Sequence, residues 1–240
     1  MNSLLRDLSK IDVVVLAGGL GKRLRSETGD TPKVLAQVNS VPFLDILLKN
    51  LSKQGFKRII LCTGYQSEAI ESYYKQNVLD LTIEFSKEDM PLGTGGAIKK
   101  ALVLVQSEKF FVLNGDCFCS VLFKDFLEFH NTKDALASMV LTELEDKKDF
   151  GSVVINQDNK IESFQEKSEK SLSPYVSVGI YCFNKEIFSL MPNKEAFSIE
   201  HDFFPDLVKK DFFGFVTDQS FLDIGTPDRY KIAQSKLNRN

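Results

Sequence analysis

Short apolar runs of strand length alternate with amphipathic stretches of helical period through the first half of the chain, and few architectures satisfy that order. The runs fall at residues 11–16, 58–62, 81–85 and 110–113. Between them, residues 43–54 (closed by Gly55), about 66–76, and 96–105 repeat their apolar positions with a helical period. Strands joined through helices pair in parallel, and a parallel sheet must be covered on both faces. The pattern therefore predicts an α/β, Rossmann-like sheet flanked by helices. After 126–131 the spacing changes to strands at 135–141, 152–156, 160–164 and 175–183, with a turn signal at 157–160 and a polar loop at 167–173. These make the expected sheet mixed, though still mostly parallel. A Phe-rich helix and strand at 203–216, a segment at 221–226 and a last helix from about Pro227 complete the series. With no linker, repeat or low-complexity tract, the length suits one domain spanning residues 1–240.

Lys and Arg number 30 against 33 Asp and Glu, a net charge of −3, which argues against the basic face that sequence-independent nucleic-acid binding needs. A local cationic pocket remains open. No apolar run approaches the roughly 20 residues of a membrane span, and the opening segment carries Asp7, so no membrane association and a cytoplasmic protein are expected. Cys62, Cys117, Cys119 and Cys182 lie among apolar neighbours and read as buried reduced thiols; the close pair Cys117 and Cys119 lacks partners for a zinc site. His130 and His201 stand far apart without a motif for a nucleophilic triad. The Phe-rich segment is core or subunit-contact packing, which leaves a homo-oligomer open, because Lys and Arg are not interleaved as in a base-stacking platform.

The stretch Leu16-Ala17-Gly18-Gly19-Leu20-Gly21-Lys22-Arg23-Leu24 directly follows the first strand. Glycines let a backbone turn tightly and bring its N–H groups against phosphate oxygens. The dinucleotide fingerprint does not fit, since Leu24 stands where a glycine or alanine is required, and no Gly-Lys-Ser/Thr follows as in a Walker loop. Alone, the segment is also compatible with a purely structural turn. Asp116 ends the apolar run 110–113, so its carboxylate should emerge at the carboxyl edge of the sheet, where open α/β folds bind ligands. Such a carboxylate suits Mg²⁺, a hard cation held by one or two carboxylates plus substrate phosphates, and Asp223 is a candidate second ligand. The plainer alternative for each is a cap or turn residue.

The run LAGGLGKRLR followed by PKVLAQV resembles the signature of the sugar-1-phosphate nucleotidyltransferases. The resemblance continues through Pro91-Leu92-Gly93-Thr94-Gly95-Gly96-Ala97, Asn114-Gly115-Asp116, Phe164-Gln165-Glu166-Lys167, Ser177-Val178-Gly179-Ile180-Tyr181 and Leu222-Asp223-Ile224-Gly225-Thr226-Pro227. It implies a Rossmann-like fold and transfer of a nucleoside monophosphate from an NTP to a sugar 1-phosphate, with release of pyrophosphate. By matching position it implies a nucleotide-binding set of Leu16, Ala17, Gly18, Gly19, Gly21, Lys22, Glu88, Gly93 and Thr94. Arg23 would sit on the triphosphate and Lys33 near the α-phosphate and departing pyrophosphate, while Asp116 and Asp223 would hold Mg²⁺. Lys167 would take the phosphate of the sugar, Glu166 its hydroxyls, and the backbone at Gly179 would approach it closely. Lys22 is the weakest match, because relatives commonly carry a small hydroxyl residue there, and Phe221 replaces a frequent Trp.

A nucleophile that is already a phosphate monoester needs no general base, its second pKa being about 6. In the loop 87–94, Glu88 could accept the adjacent N1–H and N2–H₂ donors of guanine, which favours GTP over ATP; an exposed acidic turn is the alternative, and a uridylyl or thymidylyl donor stays open. The short loop before Pro32 and the stretch from Pro42 to Tyr65 look most like the GDP-heptose-forming guanylyltransferases, with mannose 1-phosphate users similar enough to compete. Production of a GDP-sugar for capsule or lipopolysaccharide is the implied role. The rival of another class is a catalytically silent nucleotide-sugar sensor.

Overall fold

The computed structural model describes residues 7–76, 79–144, 149–166 and 173–237. In the first half, β1 (Asp12–Leu16) leads through the helical turn α1 (Arg25–Thr28) and a two-strand ribbon, β2 (Gln37–Val38) and β3 (Val41–Pro42), into α2 (Phe43–Lys53). Then follow β4 (Arg58–Thr63), α3 (Ser67–Gln76), β5 (Thr82–Lys87), α4 (Gly93–Ala101) and β6 (Lys109–Asn114). The second half contains β7 (Cys117–Cys119), α5 (Phe123–Thr132), β8 (Ala137–Glu143), β9 (Ser152–Ile155), β10 (Ile161–Gln165) and β11 (Tyr175–Asn184). It closes with α6 (Phe204–Leu207), β12 (Phe212–Val216), β13 (Phe221–Asp223) and α7 (Pro227–Lys236).

Strands β6, β1, β4 and β5 lie side by side in parallel. They form the parallel half of a mixed sheet that has nine strands among the described residues. The antiparallel half is organised by β11, which pairs with β8 along one edge. On its other edge it pairs with β9 near its start and β6 near its end. β12 adds in parallel to β8. The central strands are buried on both faces, and their side chains alternate between two cores. Val13, Val15, Ile59, Leu61, Phe111 and Leu113 meet Leu44, Leu48 and Leu51 of α2 and Phe126 of α5. Val14, Ile60, Phe110 and Val112 meet Ile98 and Ala101 of α4 and Phe204 of α6. Burying each such aliphatic or Phe side chain stabilises by about 1.5–3 kcal/mol, so this alternation is what holds helices on both faces.

At the amino edge of the sheet Arg58 bonds to Asp12 at 2.6 Å and Glu84 at 2.8 Å, so a largely buried charge is paired there. A third, smaller core of Leu24, Val38, Phe43, Ile224 and Ala233 fastens α7 and the β2–β3 ribbon under the carboxyl edge.

The sequence pattern misses several boundaries. α4 begins at Gly93, not at 96, because Gly93 adopts φ +71° and swings the chain from loop into helix; after Ala101 the predicted end becomes a 3-10 turn. The helix expected from 203 is confined to α6 and is preceded by a π turn at Ile199–Phe203. The two- and three-residue strands are too short to carry a periodicity. All four cysteines are free and buried, as expected. The polar loop at 167–173 lies outside the described residues except for Ser173, whose hydroxyl bonds Val153 O.

His130 is fully buried between Ser138 Oγ (2.9 Å) and Asn184 Oδ1 (3.1 Å). Asn184 Nδ2 donates to Ala135 O, which turns its oxygen to the ring and requires a proton on Nε2. Burial, then Lys109, pushes the imidazole pKa down to about 4 against opposing effects of Asn184 and Asp134. Because the folded value is depressed, this contribution is complete above pH 6.5 and is lost as pH falls toward 4. Urea unfolding should show a loss of roughly 2 kcal/mol at pH 5 relative to pH 7.5 from this group. His130→Gln, although less stable, should lack that component of the slope.

Candidate active site

The carboxyl ends of β1, β4, β5 and β6 open onto a cavity of about 540 Å³ lined by Leu16, Gly18, Gly19, Lys33, Glu88, Thr94 and Asp116 among others. The glycine loop can fold against this edge because side chains are missing where the backbone closes. A Cβ on Gly18 would stand 3.0 Å from Gly64 N, and one on Gly21, at φ +58°, 3.1 Å from the Lys33 Cβ. Ala17 N–H donates to Cys62 O and Gly115 N–H to Leu16 O, at 2.8 and 2.9 Å, which ties the loop to both neighbouring strand ends. Ala17 is buried and does not line the cavity. Lys22 and Arg23 stand exposed on the following 3-10 turn and do not line the cavity.

Lys33 opens a second 3-10 turn and extends to Asp116, where Nζ and Oδ2 form an ion pair. Burial alone would lower the Lys33 pKa, but Asp116 and then Asp223 outweigh it and hold the ammonium above its ordinary value. Conversely, burial would raise Asp116, and Lys33 reverses that, keeping the carboxyl below its usual range. Asp116 and Asp223 are far apart in sequence and meet through one short ladder: β13 pairs antiparallel with β7, setting Asp223 opposite Cys117. Ile224 N–H closes the ladder on Asp116 O at 3.0 Å. One oxygen of each carboxylate and the Cys117 sulfur lie within 4.8 Å of one another. Burial, with both carboxylates adding to it, raises the Cys117 pKa well above that of an ordinary thiol. The donors on offer are therefore hard oxygens, a set that fits an oxygen-seeking divalent cation.

Glu88 borders the same cavity with one oxygen accepting Leu92 N–H at 3.1 Å. Burial raises its pKa against the opposing pull of that N–H and Lys100. Gly93 and Thr94 also border it, but the Thr94 hydroxyl is engaged: it donates to Glu200 at 2.6 Å and accepts Ile199 N–H at 2.9 Å. The 93–96 glycines seat the 195–197 segment against α4, since Cβ atoms on Gly95 and Gly96 would fall 2.2 Å from the Phe197 ring and 2.3 Å from Glu195 O. Gly179, at φ +75°, packs on Asn114, where a Cβ would lie 2.6 Å from Nδ2. Glu166 is half-buried beside Gly151. Lys167 lies outside the described residues.

Sequence reasoning missed Arg229. It follows Pro227 on α7 and reaches back to Asp223 Oδ1 at 3.0 Å and to Asp149 at 2.7 Å. Nothing in its spacing separates it from a solvated helix charge. Tyr65 at the cavity wall, bonded to Arg25 at 2.8 Å, was likewise assigned no role.

The family described as Nucleotidyl transferase matches residues 12–240. The chain is 38% identical over 228 residues to D-glycero-alpha-D-manno-heptose 1-phosphate guanylyltransferase of Aneurinibacillus thermoaerophilus, covering 95% of this chain and 98% of that one. It is 37% identical to the enzyme of the same name from Campylobacter jejuni, covering 92% and 97%. The crystal structure of HddC from Yersinia pseudotuberculosis complexed with GMP-PN superposes with a TM-score of 0.83 at 38% identity, covering 95% of this chain and 99% of HddC. A glycine loop against the carboxyl edge, an acidic pair beside it and a match along nearly the whole chain agree, and this protein belongs to the nucleotidyl transferase family.

Proposed function

We propose that this protein transfers GMP from GTP to D-glycero-α-D-manno-heptose 1-phosphate, giving GDP-heptose and pyrophosphate. The observation that carries the reading is that Lys33 and Asp116 pair on the wall of the glycine-lined cavity, with a carboxylate oxygen of Asp223 within 4.8 Å of one of Asp116. The choice of guanine and heptose is supported by relatives that match over nearly their full length. A cytoplasmic location belongs to the same reading and is supported by four free thiols.

An oxygen of the sugar phosphate attacks the α-phosphorus of GTP, and the bond to the bridging oxygen of the β-phosphate breaks in line with it. Catalysis of such a step is mostly alignment and charge neutralisation. The glycine loop offers N–H groups that cradle the nucleotide phosphates, and exposed Arg23 can fold onto them. Lys33 stays protonated through its two acidic neighbours and meets charge building on the α-phosphate and leaving group. Lys167, Glu166 and the backbone around Gly179 complete the reading on the sugar side. Asp116 and Asp223 would hold Mg²⁺, which when bound draws charge from the phosphate oxygens. Glu88 would read the guanine N1–H and N2–H₂ edge, its burial making the carboxylate a stronger acceptor.

Purified protein with Mg²⁺, GTP and the heptose 1-phosphate should release pyrophosphate, whereas binding without release would favour a silent sensor. Asp223→Asn should lower turnover on the order of 100-fold while thermal stability changes little. Asp116→Asn should do the same with some added destabilisation, because Lys33 loses its counter-charge. Turnover equal to wild type at saturating Mg²⁺ would refute the ligand assignment. In competition, Glu88→Gln should reduce the preference for GTP over UTP by roughly 10-fold or more, as expected for losing a charge-assisted hydrogen bond; an unchanged preference removes Glu88 from the base site.

A further inference from the structure

The two oxygens of Asp223 have different surroundings. Oδ1 accepts Gly225 N–H at 2.9 Å and one arm of Arg229 at 3.0 Å. Oδ2 faces the Cys117 thiol at 3.5 Å, and that sulfur is equally 3.5 Å from Asp116 Oδ1. One oxygen is thus tied back toward α7, and the other lies beside the sulfur that also contacts Asp116.

Arg229 is itself held from three directions. Its second arm meets Asp149 Oδ2 at 2.7 Å. Its guanidinium lies 4.2 Å above the centre of the Phe150 ring. That ring packs edge-on to Phe221 at 5.4 Å, and Phe221 stands two residues before Asp223. The contacts close a circuit from Asp223 through Arg229 and Phe150 back to the strand that carries Asp223. Only a planar fork can span two carboxylates while stacking on a ring; a lysine ammonium would keep one of the contacts.

Magnitudes separate two uses for such a brace. Asp149 is 43% exposed, and pairs with exposed partners add little to stability. Outer partners that orient a metal-ligating carboxylate change metal affinity or activity by about 10–100-fold. We propose that Arg229 is a positioning residue, which pins Oδ1 of Asp223 so that Oδ2 is presented, together with Asp116, to a divalent cation. The proposal rests on the divalent-cation reading of the acidic pair made above.

The test is Mn²⁺ titrated into the full-length protein, with bound ion read by electron paramagnetic resonance and thermal unfolding measured alongside. Arg229→Met keeps the apolar stem over Phe150 and removes the fork; it should weaken Mn²⁺ binding about 10-fold or more with little change in Tm. Arg229→Lys should fall between Met and wild type, and Asp149→Asn should weaken binding less than either. The lysine variant decides the matter if the methionine variant does not fold. Mn²⁺ affinity in Arg229→Lys and Arg229→Met equal to or tighter than wild type overturns the proposal, as does a weakening matched by a collapse in Tm. If Asp223→Asn binds Mn²⁺ like wild type, the divalent-cation reading itself fails, which is a different result.

Discussion

The antiparallel ladder between β7 and β13 joins two chain segments that the main sheet leaves apart. It sets Asp223 opposite Cys117, 106 positions away in sequence. Three-residue strands are weak pairing elements by themselves. This ladder holds because Leu222 and Ile224 are buried around it and α7 packs over it through Ala233 and Tyr230. The register matters more than the strength, since successive strand side chains point to opposite faces. A slip by one residue would put Leu222 or Ile224 where Asp223 belongs and remove one carboxylate from the pair.

The rest of the cavity is arranged around that pair by absences as much as by side chains. Gly18 lets the loop after β1 lie on Gly64, and Gly21 lets Lys33 pass close beneath it, so the ammonium reaches Asp116. Gly179 allows β11 to bend against Asn114 at the point where its partner changes from β9 to β6. Charge then decides protonation: burial by itself would neutralise both Lys33 and Asp116, and their mutual attraction keeps both ionised. Lys33 therefore stays a cation and Asp116 an anion at the cavity wall, a buried ion pair with no net charge.

Much of the fold was legible because it depends on local periodicity. The central strands and α2 fall within a residue or two of their sequence-based positions, since buried parallel strands read as unbroken apolar runs. Asp116 could be placed at the carboxyl edge from the run before it. What stayed hidden depends on contacts distant in sequence. No periodicity marks β7 or β13, the start of α4 is set by how Gly93 and Phe197 meet, and Arg229 gains meaning only when Asp149 and Phe150 arrive beside it. Thr94 shows the converse: a motif residue at the cavity wall whose hydroxyl is already spent on Glu200 and Ile199. Motif matching located the region, and the hydrogen bonds distinguished its scaffold from its free groups.

Anomalous diffraction from crystals grown with Mn²⁺ and GTP tests the central claim most directly. The account predicts a single strong manganese peak within coordination distance of both Asp116 and Asp223, with the nucleotide phosphates over the glycine loop. A peak held by only one of the two carboxylates, or by neither, would contradict it.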